Sequence, residues 1–240
     1  GYYTRAEMFQ KLPSENISRV VQRVSFPVLS SIQDEEKELR SAYQRLIKST
    51  MLITFVLMLG MAAAAKPMVL TLIGEKWLPS VGYLQLLCFV GIFYPLQALN
   101  LNILTVKGRS DIFLNLEIIK KILVVPVVII GIFYGIKIMI ICMIVYSLIA
   151  YFLNSFYSGK LINYSVVAQI KDISPSFLLA SLNAVIIFAI GNLLQANYNI
   201  IFIIQLISSI IIVVSISEIT KMNDYLYLKD IIKEKILKRR

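Results

Sequence analysis

The sequence predicts an all-α, polytopic membrane protein, and three observations lead to that fold class. First, 58% of the 240 residues are hydrophobic, whereas soluble domains are about 45–50% apolar. Second, the mean hydropathy of the chain is +0.76. Third, the chain repeatedly contains apolar runs of about 20 residues, the length needed to cross a hydrocarbon core about 30 Å thick. Repeated runs of that length exclude an ordinary soluble domain.

Six hydrophobic segments are predicted to span the membrane, and polar links separate them. Most of these links are a few residues long, which is typical of neighbouring antiparallel helices. The fourth link, residues 158–175, is longer, and its Pro175 suits the first turn of the helix that follows. The six segments are residues 49–73, 80–105, 111–134, 138–158, 175–194 and 199–218.

Lysine and arginine are distributed unevenly between the links, and this predicts the orientation of the chain. Most of the 24 basic residues lie in or near alternate links and in the tail, while the remaining links hold only Lys76 and Lys137. By the positive-inside rule, the basic links face the cytoplasm. We expect the tail, residues 225–240, to form a basic amphipathic helix held by anionic membrane lipids. The predicted cytoplasmic parts are residues 34–48, 107–111, 158–175 and the chain after residue 220.

Composition argues against several other classes of function. The net charge of +10 follows the positive-inside pattern, so we do not expect a nucleic-acid partner. The chain has no histidine, which removes the usual general base and the commonest zinc ligand. Its two cysteines, Cys88 and Cys142, lie within apolar runs and are expected to pack rather than form a disulfide or a metal site. We therefore expect no enzyme activity, no metal site and no cofactor.

Residues 14–31 form an apolar helical segment that contains two arginines four residues apart. Arg19 and Arg23 share one helix face, and Gln22 lies beside them. One arginine at the centre of a spanning helix costs about 2.5–3.5 kcal/mol on insertion scales, so hydropathy disfavours this segment as a span. Either the segment lies outside the bilayer or it faces a polar cavity, and composition does not decide between the two.

Four short patterns between residues 1 and 121 together resemble one family of transporters. They are GYYTRAEMFQKLP (1–13), VSFPVLSSIQDEEKELRSAYQRL (24–46), LIGEKWLPSVGYLQLL (72–87) and VKGRSDIFLNLEIIKK (106–121). The family is the Wzx-type lipid-linked oligosaccharide flippases, with WzxC-like polysaccharide transporters the most similar. Residues 122–240 add only a matching hydropathy pattern, while Lys66 and Ser80 depart from the family pattern.

This resemblance implies a MATE-like architecture of two helical lobes around a central cavity. Residues 1–158 would form part of the second, C-terminal lobe, and residues 159–240 an additional C-terminal helix pair with a basic cytoplasmic tail. Residues 14–31 would then be a true span that lines the cavity, giving six to seven spans, with residues 1–13 ending the preceding helix. The chain begins without an initiator methionine, so we expect a C-terminal piece of a longer protein whose N-terminal lobe is missing here.

The resemblance also implies a substrate, an undecaprenyl diphosphate that carries an oligosaccharide repeat unit. Such transporters move it across the bacterial inner membrane by alternating access, for O-antigen, capsule or exopolysaccharide synthesis. Arg19 and Arg23, with Gln22, are the candidate diphosphate ligands, because guanidinium groups hold phosphate oxygens bidentately. The arginines could instead pair with carboxylates of the missing lobe, extend to lipid headgroups, or belong to an interfacial helix.

Three other functions stay open at this point. A multidrug antiporter of the same superfamily is possible, although exporters of cationic drugs favour carboxylates. A membrane-embedded glycan polymerase or ligase is disfavoured, because every predicted external link is short. The piece could also be a truncated product without a function of its own.

Overall fold

The structure is a computed structural model that describes residues 1–222 and 224–230, and this part of the chain is helical with no strand. The tail helix predicted for residues 225–240 is therefore described only as far as residue 230, and residues 224–230 are helical. The helices are α1 (Tyr2–Ser31), α2 (Glu36–Ala63), α3 (Ala65–Ile73), a 3₁₀ helix (Glu75–Ser80), α4 (Val81–Gly91), α5 (Phe93–Val106), α6 (Ser110–Tyr134), α7 (Ile136–Leu161), α8 (Val166–Leu193) and α9 (Tyr198–Ile219).

Five stretches of the described chain are long and apolar enough to cross a membrane, which confirms the all-α polytopic class. They are α2, α7, α8, α9 and the continuous run Glu75–Val106. Helix α6 has 25 residues, about 37 Å at 1.5 Å per residue, but its first half carries four charged side chains. That α6 and α1 also cross the bilayer stays a prediction.

Helix α1 is one continuous helix of 30 residues, and this corrects the prediction that residues 1–13 end one helix and residue 14 begins the next. Pro13 lies inside it, although proline removes a backbone hydrogen bond and usually kinks or ends a helix. Two fully buried side chains bridge this point, since Gln10 Nε2 donates to Ser14 Oγ at 2.8 Å and Ser14 Oγ donates to the Gln10 carbonyl at 3.0 Å. These bonds join residues on either side of the proline across one turn of the helix.

The buried face of α1 determines where its arginines point. Ala6, Gln10, Ser14, Ser25 and Leu29 are buried and lie along one side of the helix, which packs against α2, α4 and α5. Successive residues rotate by about 100° around an α-helix, so the side chains at positions 19 and 23 project from the opposite side. Because one face of α1 is buried in these contacts, the face that carries Arg19 and Arg23 stays exposed.

The link between α7 and α8 is shorter than predicted. Helix α7 continues to Leu161 and α8 begins at Val166, so Pro175 lies in the interior of α8 rather than in its first turn. Ser165 caps α8, because its side chain accepts a hydrogen bond from the backbone N–H of Ala168. A polar stretch that resembled a loop is therefore the first part of a helix.

Helix α8 packs along α2, and polar partners from other elements explain why its first turns are stable. Asp172 of α8 pairs with Lys48 of α2 at 3.3 Å and accepts a hydrogen bond of 2.8 Å from the Tyr164 hydroxyl. Further along the same contact, Phe55 and Phe177 meet edge to face at 5.2 Å. The C-terminal helix pair is thus held against the core, while the proposed division at residue 159 stays a prediction.

Candidate functional site

The predicted site residues of α1 all lie on its exposed face, but not all of them reach the same cavity. Arg19 and Gln22 line a cavity of about 640 Å³, whereas Arg23 lies outside its lining, one turn further along α1. All three side chains are exposed. The structure therefore brings two of the three predicted residues into one site and leaves the third beside it.

Helices α1 and α6 form two walls of this cavity, and residues of α5 and α7 complete it. Its volume falls within the range of about 300–1,000 Å³ that is usual for small-molecule sites. The lining residues are Lys11, Glu15, Ser18, Arg19 and Gln22 from α1, Tyr94, Gln97, Ala98 and Leu101 from α5, Glu117, Lys120, Lys121 and Val124 from α6, and Tyr146 from α7.

The partner of Arg19 is on its own helix. Arg19 Nη2 lies 2.7 Å from Glu15 Oε2, and the Arg19 side chain remains 64% exposed. The two residues are four apart, a spacing at which side chains on one helix face can pair. Exposed pairs of this kind contribute about 0–1 kcal/mol, so a stronger anion can displace the glutamate.

Helix α6 adds a second group of charges that sequence reasoning did not assign to the site. Glu117 and Lys120, three residues apart on α6, form an ion pair, and the Lys120 side chain is only 7% exposed and lines the cavity. Lys121 is exposed and lines the same cavity. The available signal was a group of three charges in an otherwise apolar helix, which marks an inward-facing functional position.

The charge balance of the cavity favours anions. Its lining contains four cationic side chains and two carboxylates, an excess of two positive charges. Within residues 1–222 and 224–230, Lys121 and Arg23 have no ion-pair partner. The same part of the chain contains no group of three histidine, cysteine, aspartate or glutamate residues that could hold a metal ion.

Part of the chain is similar in sequence to known proteins of polysaccharide biosynthesis. Residues 1–82 match a family model described as polysaccharide biosynthesis protein. Over 131 residues, 55% of the chain, it is 30% identical to the lipopolysaccharide biosynthesis protein WzxC of Escherichia coli (strain K12). It is 31% identical over 112 residues, 47% of the chain, to the teichuronic acid biosynthesis protein TuaB of Bacillus subtilis (strain 168). The resemblance to Wzx-like polysaccharide flippases is confirmed.

A third relative and the extent of the matches complete the comparison. The chain is 35% identical over 115 residues, 48% of its length, to an uncharacterized membrane protein in the cps region of Klebsiella pneumoniae. The matched parts cover 27% of WzxC, 24% of the Klebsiella protein and 23% of TuaB, so about half of the chain matches about a quarter of each relative. No solved structure matches the chain. With its five apolar spans and these relatives, the chain is a multi-pass bacterial membrane protein.

Proposed function

We propose that this chain is the C-terminal part of a transporter that moves undecaprenyl-diphosphate-linked oligosaccharide units across the bacterial inner membrane by alternating access. The units would serve O-antigen, capsule or exopolysaccharide synthesis. A second lobe, from the part of the transporter that precedes this chain, would close the cavity. The proposal assigns no catalytic step and no cofactor to the chain. The observation that carries it is the polar face of α1, which places Arg19 and Gln22 in the wall of a cavity with excess positive charge.

The chemistry of the arginines suits a diphosphate better than it suits a cationic drug. An unpaired anion is very costly to move through a medium of low dielectric constant, so a carrier must offer fixed cations on the way. Arg19 offers a guanidinium whose present partner, Glu15, is exposed and readily exchanged. Arg23 lies on the same open face without an ion-pair partner in the described residues, and Gln22 adds an amide donor between them. The excess of cations in the cavity argues against a multidrug antiporter.

Export of the repeat unit by the intact transporter, measured in cells, tests the proposal. Arg19→Ala or Arg23→Ala should severely reduce export while the protein still reaches the membrane. Lysine at either position should keep part of the activity, because it supplies the charge without the bidentate contact. Arg40→Ala, at an exposed arginine outside the cavity, is the matched control and should export normally.

A purely structural role for the arginines predicts a different pattern. Arg19→Ala should then lower the amount of protein in the membrane, and adding Glu15→Gln should restore it. Normal export by a transporter with alanine at both arginine positions would refute the proposed role of these residues.

A further inference from the structure

The α6 wall of the cavity has charged residues that the proposed site on α1 does not use. Lys120 is buried and paired with Glu117, and Lys121 is exposed next to it. All three side chains line the same cavity as Arg19, although α6 and α1 are separate elements with α5 between them. The wall therefore faces any ligand that Arg19 binds.

We propose that Lys120 and Lys121 form a second anion-binding wall for the diphosphate, and that Glu117 competes with the ligand for Lys120. This inference rests on the proposed function, since it takes the same class of ligand, a diphosphate diester. The diphosphate would then contact residues of two helices and be held between α1 and α6.

The burial of Lys120 explains why a competing carboxylate is present. A lysine ammonium that is only 7% exposed needs a partner when the cavity is empty, because an isolated buried charge is very unfavourable. Glu117 supplies that partner and is itself 34% exposed, so one side of the ion pair is open to the cavity. A phosphate oxygen can approach the same ammonium from that side and replace the carboxylate.

Unlike Lys120, Lys121 is not paired with a carboxylate in the part of the chain that the structure describes. Within the described residues it has no ion-pair partner, and its side chain is exposed to the cavity. A lysine of this kind contributes attraction to an anion without first giving up another contact. Its removal should weaken ligand binding without disturbing a buried ion pair.

The net charge of the cavity matches the ligand. The lining has two more cations than carboxylates, and a diphosphate diester carries one negative charge on each phosphate. Binding therefore neutralises the cavity. If α6 took no part, the α1 lining alone would offer Lys11 and Arg19 against Glu15, an excess of only one charge.

Binding of UDP-glucose, a soluble diphosphate diester, to the purified intact transporter in lipid nanodiscs tests the inference by calorimetry. Glu117→Gln should tighten binding about tenfold, because Lys120 is no longer engaged by a carboxylate, whereas Lys120→Met and Lys121→Gln should each weaken it about tenfold. Lys121→Arg should bind more tightly than Lys121→Gln, because it keeps the positive charge. Lys137→Gln, at an exposed lysine outside the cavity, is the matched control, and free glucose is the uncharged control ligand.

The direction of the Glu117→Gln effect separates a competing carboxylate from a purely structural ion pair. Weaker binding or a lower unfolding temperature without a gain in affinity would mean that the pair only supports the fold, and would overturn the competition. Lys121→Gln keeps the test valid if the Glu117 variant does not fold, because Lys121 is exposed and not part of the pair.

Arg19→Ala distinguishes failure of this inference from failure of the proposed function. Binding that depends on Arg19 but is the same in all α6 variants would overturn the second wall alone. Binding that depends on α6 but not on Arg19 would support the second wall and overturn the proposed role of Arg19. An absence of UDP-glucose binding would overturn both.

Discussion

Gly159→Ala is expected to destabilise the protein, because the glycine lies against the backbone of the turn between α7 and α8. A Cβ atom at this position would overlap the carbonyl oxygen of Tyr164 and lie 3.3 Å from its carbonyl carbon. The same turn is closed by a hydrogen bond of 2.9 Å from the Tyr164 N–H to the Gly159 carbonyl. Tyr164 is fully buried, its hydroxyl donates to Asp172, and its ring meets Tyr43 edge to face at 6.1 Å.

The size of the effect follows from these contacts. The backbone would have to move by roughly 1 Å to restore ordinary contact distances. Overpacking of this kind costs about 1–3 kcal/mol, and weakening the turn hydrogen bond adds about 1 kcal/mol. Alanine in place of glycine within a helix returns about 1 kcal/mol. We therefore expect a net loss of about 1–3 kcal/mol in the free energy of unfolding.

Thermal unfolding in detergent, followed by circular dichroism, measures this loss. Gly82→Ala is the matched control, because Gly82 is also helical and no atom lies within 4 Å of the added Cβ, so its stability should stay equal or rise slightly. At roughly 2–4 °C per kcal/mol for a chain of this size, the unfolding temperature of the Gly159 variant should fall by several degrees. An unfolding temperature equal to or above that of the control would refute the argument.

Three further predictions concern the segment after α9, the polar core and the orientation of the chain in the membrane. Burial raises the pKa of Asp224, so this carboxyl group binds a proton more tightly in the folded chain than in the unfolded chain. The chain segment that contains Asp224 should therefore dock most strongly in acid, and its docking should weaken as the pH rises through the raised pKa. Asp224→Asn should remove this pH dependence in hydrogen-exchange measurements. Tyr43→Phe removes a buried hydrogen bond of 3.0 Å to Asn100 Oδ1 and should lower the free energy of unfolding by about 1 kcal/mol in the same thermal assay, while an unchanged value would contradict this. Cysteines placed at Ser41 and Lys229, with the native cysteines replaced, should both resist a membrane-impermeant label applied outside intact cells, and labelling at either position would overturn the predicted orientation.

Much of the fold could be predicted because it depends on neighbouring residues in the sequence. Runs of apolar residues predicted α2, α7, α8, α9 and the run that ends with α5, since crossing a bilayer requires length and hydropathy, and both are local properties. Helix periodicity placed Arg19 and Arg23 on one face, and a spacing of three residues paired Glu117 with Lys120. These outcomes need only the 3.6-residue repeat of the helix.

The rest was decided by contacts between distant parts of the chain. Helix α1 continues through Pro13 where its buried Gln10 lies against Gly91 of α4, about 80 residues away in the sequence. The first turns of α8 are helical because Lys48 and Tyr164 pair with Asp172. Local sequence patterns do not predict these partners. A polar side chain is tolerated in a buried part of a helix when another element supplies its hydrogen bond or its opposite charge. For the same reason, the spacing of Glu117 and Lys120 predicts their ion pair, but only the packing of α6 beside α5 and α7 shows that Lys120 lines the cavity.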